Sequence, residues 1–176
     1  MKQQSNDAEA LANRFVKGHV GSIEEALQGA RDIIAEWISE RSAARNIIRK
    51  LFQNEAIIES KVVKGKETEG EKFKDYFEYS EPLRRAAGHR ILALRRGEDE
   101  GFIRSSIAPP KENALERLER YFVNSNNECS DHIKLAIKDS YSRLLGPSIE
   151  TEFRNESKEK ADDEAIHIFA ENLRQL

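Results

Sequence analysis

Arg41, Arg45 and Arg49 recur at four-residue steps, Lys50 follows the last of them, and no acid interrupts 41–50. On a helix this spacing puts the three guanidinium groups on one face. A second group, Arg84, Arg85, Arg90, Arg95 and Arg96, lies further along. Clustered cations of this kind are what phosphate backbones meet, with counterion release supplying much of the affinity. Tyr76, Phe77 and Tyr79 lie near the second group and offer ring faces on which bases stack. The commoner role for each feature is plainer. Aromatic residues at helical spacing form cores, and arginines on a helix face are solvated or paired with acids. Glu55 and Glu59, just past the first group, would repel phosphate.

Other reactive side chains do not converge in the sequence. His19, His89, His132 and His167 stand far apart, without the spacing of a metal-binding helix. Glu98-Asp99-Glu100 reads as a solvated loop after a helix ended by Gly97. Asp162-Asp163-Glu164 reads as the acidic first turn of a helix, where carboxylates face the positive dipole end. Cys129, the only cysteine, sits in a polar stretch and reads as a surface thiol. A disulfide within the chain is excluded, and so is a multi-cysteine zinc site. No phosphate-cradling glycine loop or nucleophile elbow is present. The expectation is no enzyme, no metal and no cofactor.

The elements that must position these residues are helical. The 176 residues are 38% hydrophobic and 35% charged, a balance that suits amphipathic helices with wide wet faces. No apolar run approaches the ~20 residues that span a bilayer, which with the lone thiol points to a cytoplasmic, non-membrane protein. The net charge of -3 is uneven. Residues 41–96 hold 14 Lys/Arg against 8 Asp/Glu, 1–40 hold 4 against 7, and 97–176 hold 11 against 17. A basic middle sits between acidic flanks.

Asp7 is placed to cap a first helix with Leu11, Phe15 and Val16 on its apolar face. Ser22 and Glu25 make a capping box, and Ile23, Ala26, Leu27, Ala30, Ile33, Ile34, Trp37 and Ile38 form the stripe of the helix that follows. Ala44, Ile47, Ile48 and Leu51 mark a helix over 42–52. Asn54 is placed to cap another through 56–63, giving a helix-turn-helix-like pair, although 60–64 also reads as a strand. The spacing of Phe73, Tyr76 and Phe77 predicts a helix to Tyr76, and Ile91, Leu92 and Leu94 one over 86–96. Residues 102–107 read as a strand. Helices are expected at 112–123, 130–145, 147–158 and 160–175, with Gly146-Pro147 separating the middle two. Ala161, Ala165, Ile168, Phe169 and Leu173 make the core face of the last. The fold class is mainly α: a multi-helix assembly with a helix-turn-helix-like part and at most one or two short strands. The expected parts are N-terminal helices (1–40), the basic region (41–110), and C-terminal helices packing on the N-terminal ones (111–176).

Four strings in this order resemble the Tex family of bacterial transcription accessory proteins: ALQGARDIIAE (Ala26–Glu36), SKVVKGKETEGEKFKDYF (Ser60–Phe77), HRILALRRGEDEG (His89–Gly101) and ADDEAIHIFAENL (Ala161–Leu173). Ala87-Gly88 departs from the family's proline-serine before the His-Arg pair and predicts a softer helix start. The resemblance implies a segment of a longer chain, from the helical region before an RNase-H-like domain. Helix-hairpin-helix elements and an RNA-binding OB-fold domain would lie further on. It also implies a role in transcription, with the other domains of the parent chain and the transcription machinery as partners, and kinship to a eukaryotic elongation factor. The expected function is a non-catalytic scaffold and interaction segment whose apolar surfaces stay partly exposed in isolation. The alternative is a direct DNA- or RNA-binding module using the basic 41–96 region.

Overall fold

Ser22 ends the loop before the first long helix by accepting a hydrogen bond from the Glu25 N–H at 3.2 Å, while the Glu25 carboxylate reaches back to the Gly21 N–H at 2.7 Å. The reciprocal cap lands one residue earlier than a capping box requires, so the Gly21 N–H is satisfied in place of the Ser22 N–H. In the computed structural model, which describes residues 7–18 and 20–174, this helix is α2 (Ile23–Glu40). Before it comes α1 (Ala8–Asn13) and after it α3 (Ser42–Glu55), α4 (Gly88–Asp99), α5 (Lys111–Phe122), α6 (Glu128–Asp139) and α7 (Gly146–Arg174). Three strands, β1 (Ile57–Val62), β2 (Glu78–Pro82) and β3 (Ile103–Ala108), join them. The protein is mainly α, with three short strands rather than one or two. It divides into two units, one of residues up to Lys50 with Lys111–Ser148, the other of Leu51–Pro110 with the residues from Ile149 on. Of the middle segment, residues 41–50 fall in the first unit and 51–110 in the second.

The first unit is all helix. Asp7 caps α1 as expected, accepting from the Ala10 N–H at 2.7 Å. The helix stops at Asn13, so Phe15 leaves its stripe and is exposed, and Ala8 and Ala12 face inward instead. They pack with Leu27 and Cys129, which is 3% exposed: the thiol is a core residue and not a surface one. On α2 the buried positions are Leu27, Ala35 and Ile38, while Ile33 and Trp37 from the same apolar stripe remain exposed. Ser140, fully buried, donates to the Ala35 carbonyl at 2.7 Å and so meets its polar need within the core.

Gly146-Pro147 does not break the chain into separate helices. A wide π turn over Ser140–Leu145 lets the Gly146 N–H bond to the Tyr141 carbonyl five residues back. Proline in a regular helix has no N–H to give and its ring crowds the carbonyl four residues earlier; the wider turn absorbs both. It also brings the Tyr141 oxygen to 2.8 Å from where a Cβ on residue 146 would stand, which is why glycine fits there. The expected helices at 147–158 and 160–175 are thus one, α7.

The second unit is built on a sheet of order β2-β1-β3, antiparallel throughout. Residues 56–63 do not form the second helix of a helix-turn-helix: α3 runs through Asn54 to Glu55, and β1 follows after one residue. Ile58 and Ser60 are buried while Glu59 and Lys61 are exposed, a period of two that suits a strand and not a helix. Ser60 donates to the Tyr76 carbonyl at 2.6 Å. The segment around Phe73 is a short 3-10 turn (Glu71–Tyr76) in which Phe73 is buried against Phe102, ring centroids 6.0 Å apart. Gly97 is not a helix terminator. It lies buried inside α4, where Ile103 and Phe73 press on its Cα side; the positive-φ glycine after the helix is Gly101. Phe52 and Phe153 pack 5.2 Å apart in this unit.

Candidate functional site

The free edge of β3 is held by side chains from two helices. Glu98, near the end of α4, accepts from the Ser105 N–H and from Ser105 Oγ, each at 2.8 Å. Arg154, on α7, donates to the other Glu98 oxygen at 2.6 Å and to the Ser105 carbonyl at 3.0 Å. One turn earlier on α7, Glu150 accepts from the Ile107 N–H at 2.8 Å. Arg95 completes the network by donating to the Arg154 carbonyl at 3.1 Å. An unpaired strand edge invites other strands; here carboxylates and a guanidinium occupy its donors and acceptors. Burial pushes the Glu98 carboxyl up, but the bonds from Arg154 and Ser105 outweigh it and hold the group below the ordinary carboxylate range. The expected solvated loop at 98–100 is therefore corrected. Glu98 is a structural clamp, and Glu100 pairs with Lys72 and with Arg96, the latter at 2.9 Å.

A second network holds β2. Glu81 accepts from Arg90 at 2.8 Å and from the Tyr79 hydroxyl. Hydrogen bonds from Tyr79, then Arg90, hold Glu81 below its ordinary range. Burial, then the bond to Glu81, pushes the Tyr79 phenol above its ordinary 10.0. Tyr79 also meets Tyr76 edge-on, centroids 5.4 Å apart. Both rings are half-buried.

The basic residues separate accordingly. Arg90, Arg95 and Arg96 are bound to acids or backbone of the second unit. Arg84 and Arg85, on a short 3-10 turn, are exposed. In the first unit, Arg45 donates to Ser148 at 3.1 Å and Arg49 to Asn46 at 3.4 Å, and Lys50 is exposed. Arg41 is not on the helix with them; it is the single residue between α2 and α3. The acidic run at 162–164 lies within α7 and not in a first helical turn, Asp162 pairing with Lys158 at 2.6 Å. His132 Nδ1 lies 3.1 Å from Arg31, His167 lies 3.3 Å from Glu171, and His19 falls outside the described residues. Among the described residues no three His, Cys, Asp or Glu side chains gather as a metal site.

The exposed face of the sheet carries cations that helical spacing does not mark. Lys61 of β1 stands directly across from Arg104 of β3, and both, with Lys64, line a groove of about 600 Å³. Like charges directly opposed on a sheet are unfavourable without an anion or a neighbouring acid, and Glu78 faces Lys61 from the other side. Alternation along 57–62 was the available signal.

A family model described as Tex central region-like matches residues 3–169. The chain belongs to the Tex family. It is 38% identical to the uncharacterized protein YdcI of Bacillus subtilis over 98% of its own length and 25% of that protein. It is 35% identical to the transcriptional accessory protein Tex of Neisseria gonorrhoeae over 100% of its length and 24% of that protein. With the human S1 RNA-binding domain-containing protein 1 the identity is 28%, over 92% and 17%. The chain thus spans about a quarter of the length of these two bacterial relatives. No helix among the described residues is long and apolar enough to cross a membrane.

Proposed function

We propose that this Tex segment is a cytoplasmic, non-catalytic helical scaffold and interaction segment of a transcription accessory protein. The observation that carries the reading is the use made of the basic middle. Arg90 and Arg96 are paired with Glu81 and Glu100, and Arg95 is tied to the α7 backbone, so these cations already have partners within the second unit, which supports a scaffold over a phosphate-binding stripe. The Glu98 and Glu150 carboxylates are committed to clamping a strand edge. Exposed apolar side chains remain at the end of α7, at Ile166, Phe169 and Leu173, as a packing segment of a larger protein would have. Its partners are then the other domains of the parent chain and the transcription machinery.

The second reading, direct nucleic-acid binding, draws on Lys61, Lys64 and Arg104 together with the exposed Arg84 and Arg85. Anisotropy titrations of labelled duplex DNA and single-stranded RNA across a salt series separate the two. The scaffold reading expects no salt-dependent binding, and no effect of Arg45→Ala with Arg49→Ala. Salt-dependent binding abolished by Lys61→Ala with Arg104→Ala would establish the second.

A further inference from the structure

Trp37 is the only tryptophan in the chain, and it is 58% exposed. It lines a groove of about 370 Å³ in the first unit together with Ile38 of α2, Tyr121 and Phe122 at the end of α5, Ile133 of α6, and Arg41. Tyr121 stands edge-on to Phe122, centroids 4.9 Å apart and planes at 81°, and is itself 48% exposed. Arg41 is fixed at the elbow between the two helices. Its N–H bonds to the Ile38 carbonyl at 3.2 Å and its own carbonyl accepts from the Arg45 N–H at 3.0 Å. Its side chain is exposed and forms no ion pair among the described residues.

Tryptophan, tyrosine and arginine are the residue types that dominate the energetics of protein interfaces, and they do so when clustered around a desolvated pocket. The groove gathers one of each around an aliphatic floor. Its charge selects the occupant. One cation beside aromatic walls complements one carboxylate next to a large apolar side chain. A nucleic-acid strand fits poorly, because α2 carries Glu24, Glu25, Asp32, Glu36 and Glu40 against Arg31 alone, and successive phosphates would meet that acidic helix.

We propose that this groove docks an amphipathic segment of another protein, with an apolar side chain between Trp37 and Tyr121 and a carboxylate on Arg41. The inference deepens the scaffold reading and rests on it, giving that scaffold a partner chemistry.

Because Trp37 is unique, its emission reports the groove directly. The probes are two Ala-rich, helix-forming peptides bearing Phe and, one turn on, either Glu or Gln. The Glu peptide should shift Trp37 emission to the blue, saturably, and bind about tenfold tighter than the Gln peptide, a difference of about 1.4 kcal/mol. Arg41→Gln should erase that preference while the blue shift persists. Tyr121→Ala should weaken both peptides, with circular dichroism confirming the fold of each variant. The proposal is overturned by no shift with either peptide, by equal affinities, or by a blue shift that grows with protein concentration alone, which would mark a second copy as the occupant. A salt-sensitive shift with oligo(U) would overturn both this proposal and the scaffold reading. Silence to peptides and oligo(U) alike would remove only the groove.

Discussion

The Glu98 carboxylate accepts at 2.6 Å from Arg154 and at 2.8 Å from the Ser105 N–H, so one acid links α4, β3 and α7. Removing it leaves a half-buried guanidinium and an edge N–H without their acceptor. We expect Glu98→Ala to lower unfolding stability by about 2–3 kcal/mol, and Glu98→Gln by less. Chemical denaturation measures both.

The same clamp carries a pH signature. The folded group titrates below its ordinary value, so its contribution is complete above about pH 4.5 and is lost as pH falls through the depressed value. Melting temperature measured from pH 6 down to pH 3 should fall more steeply in the wild type than in Glu98→Gln. Parallel curves would mean that Glu98 is not held as described.

Tyr79 sets the opposite signature. Its phenol titrates above 10.0 when folded, so its contribution is whole below that pH and is lost as pH rises through the folded value. The wild type should lose melting temperature between pH 9 and pH 11 faster than Tyr79→Phe. Absorbance at 295 nm should show a late phenol ionisation whose amplitude falls by one group in the variant.

What could be read from residues alone followed from local physics. The caps at Asp7 and Ser22 and the strand near 103–107 depend on neighbours within a few positions, and the structure has them. The errors arose where a distant partner decides. Residues 57–62 form a strand because β2 and β3 flank them, and Gly97 lies inside a helix because Ile103 and Phe73 need its space. Gly146-Pro147 is the local exception: it continues a helix because of the π turn in the six residues just before it. The basic residues at 90–96 were visible, and the four-residue step from Arg96 to Glu100 carried that pair; the partners Glu81 of Arg90 and the Arg154 carbonyl of Arg95 were not visible, since pairing across elements leaves no periodic mark.

Gly97 and Gly29 test that distinction between local and distant causes. A Cβ on Gly97 would stand 2.8 Å from Ile103 and 3.2 Å from Phe73, both buried, so Gly97→Ala should overpack the second unit and destabilise by about 1–3 kcal/mol. Gly29 sits within α2 with nothing inside 4 Å of its Cβ position. There the same change should stabilise by up to about 1 kcal/mol through helix propensity. Thermal melts of the two variants should move in opposite directions.

The last half of α7 joins fold to function most directly. Ala161 is buried, but Ile166, Phe169 and Leu173 are exposed, Phe169 at 65%. Spaced by three and four residues, they share one face. Such a face on an isolated chain should drive self-association, visible by sedimentation as a concentration-dependent mass. Phe169→Glu should suppress that association and leave the melting temperature of the dilute chain within about 2 °C, since an exposed side chain contributes little to folding. A drop of many degrees in the dilute chain would instead mean that Phe169 packs within its own fold, and the end of α7 would then not be a surface for other domains.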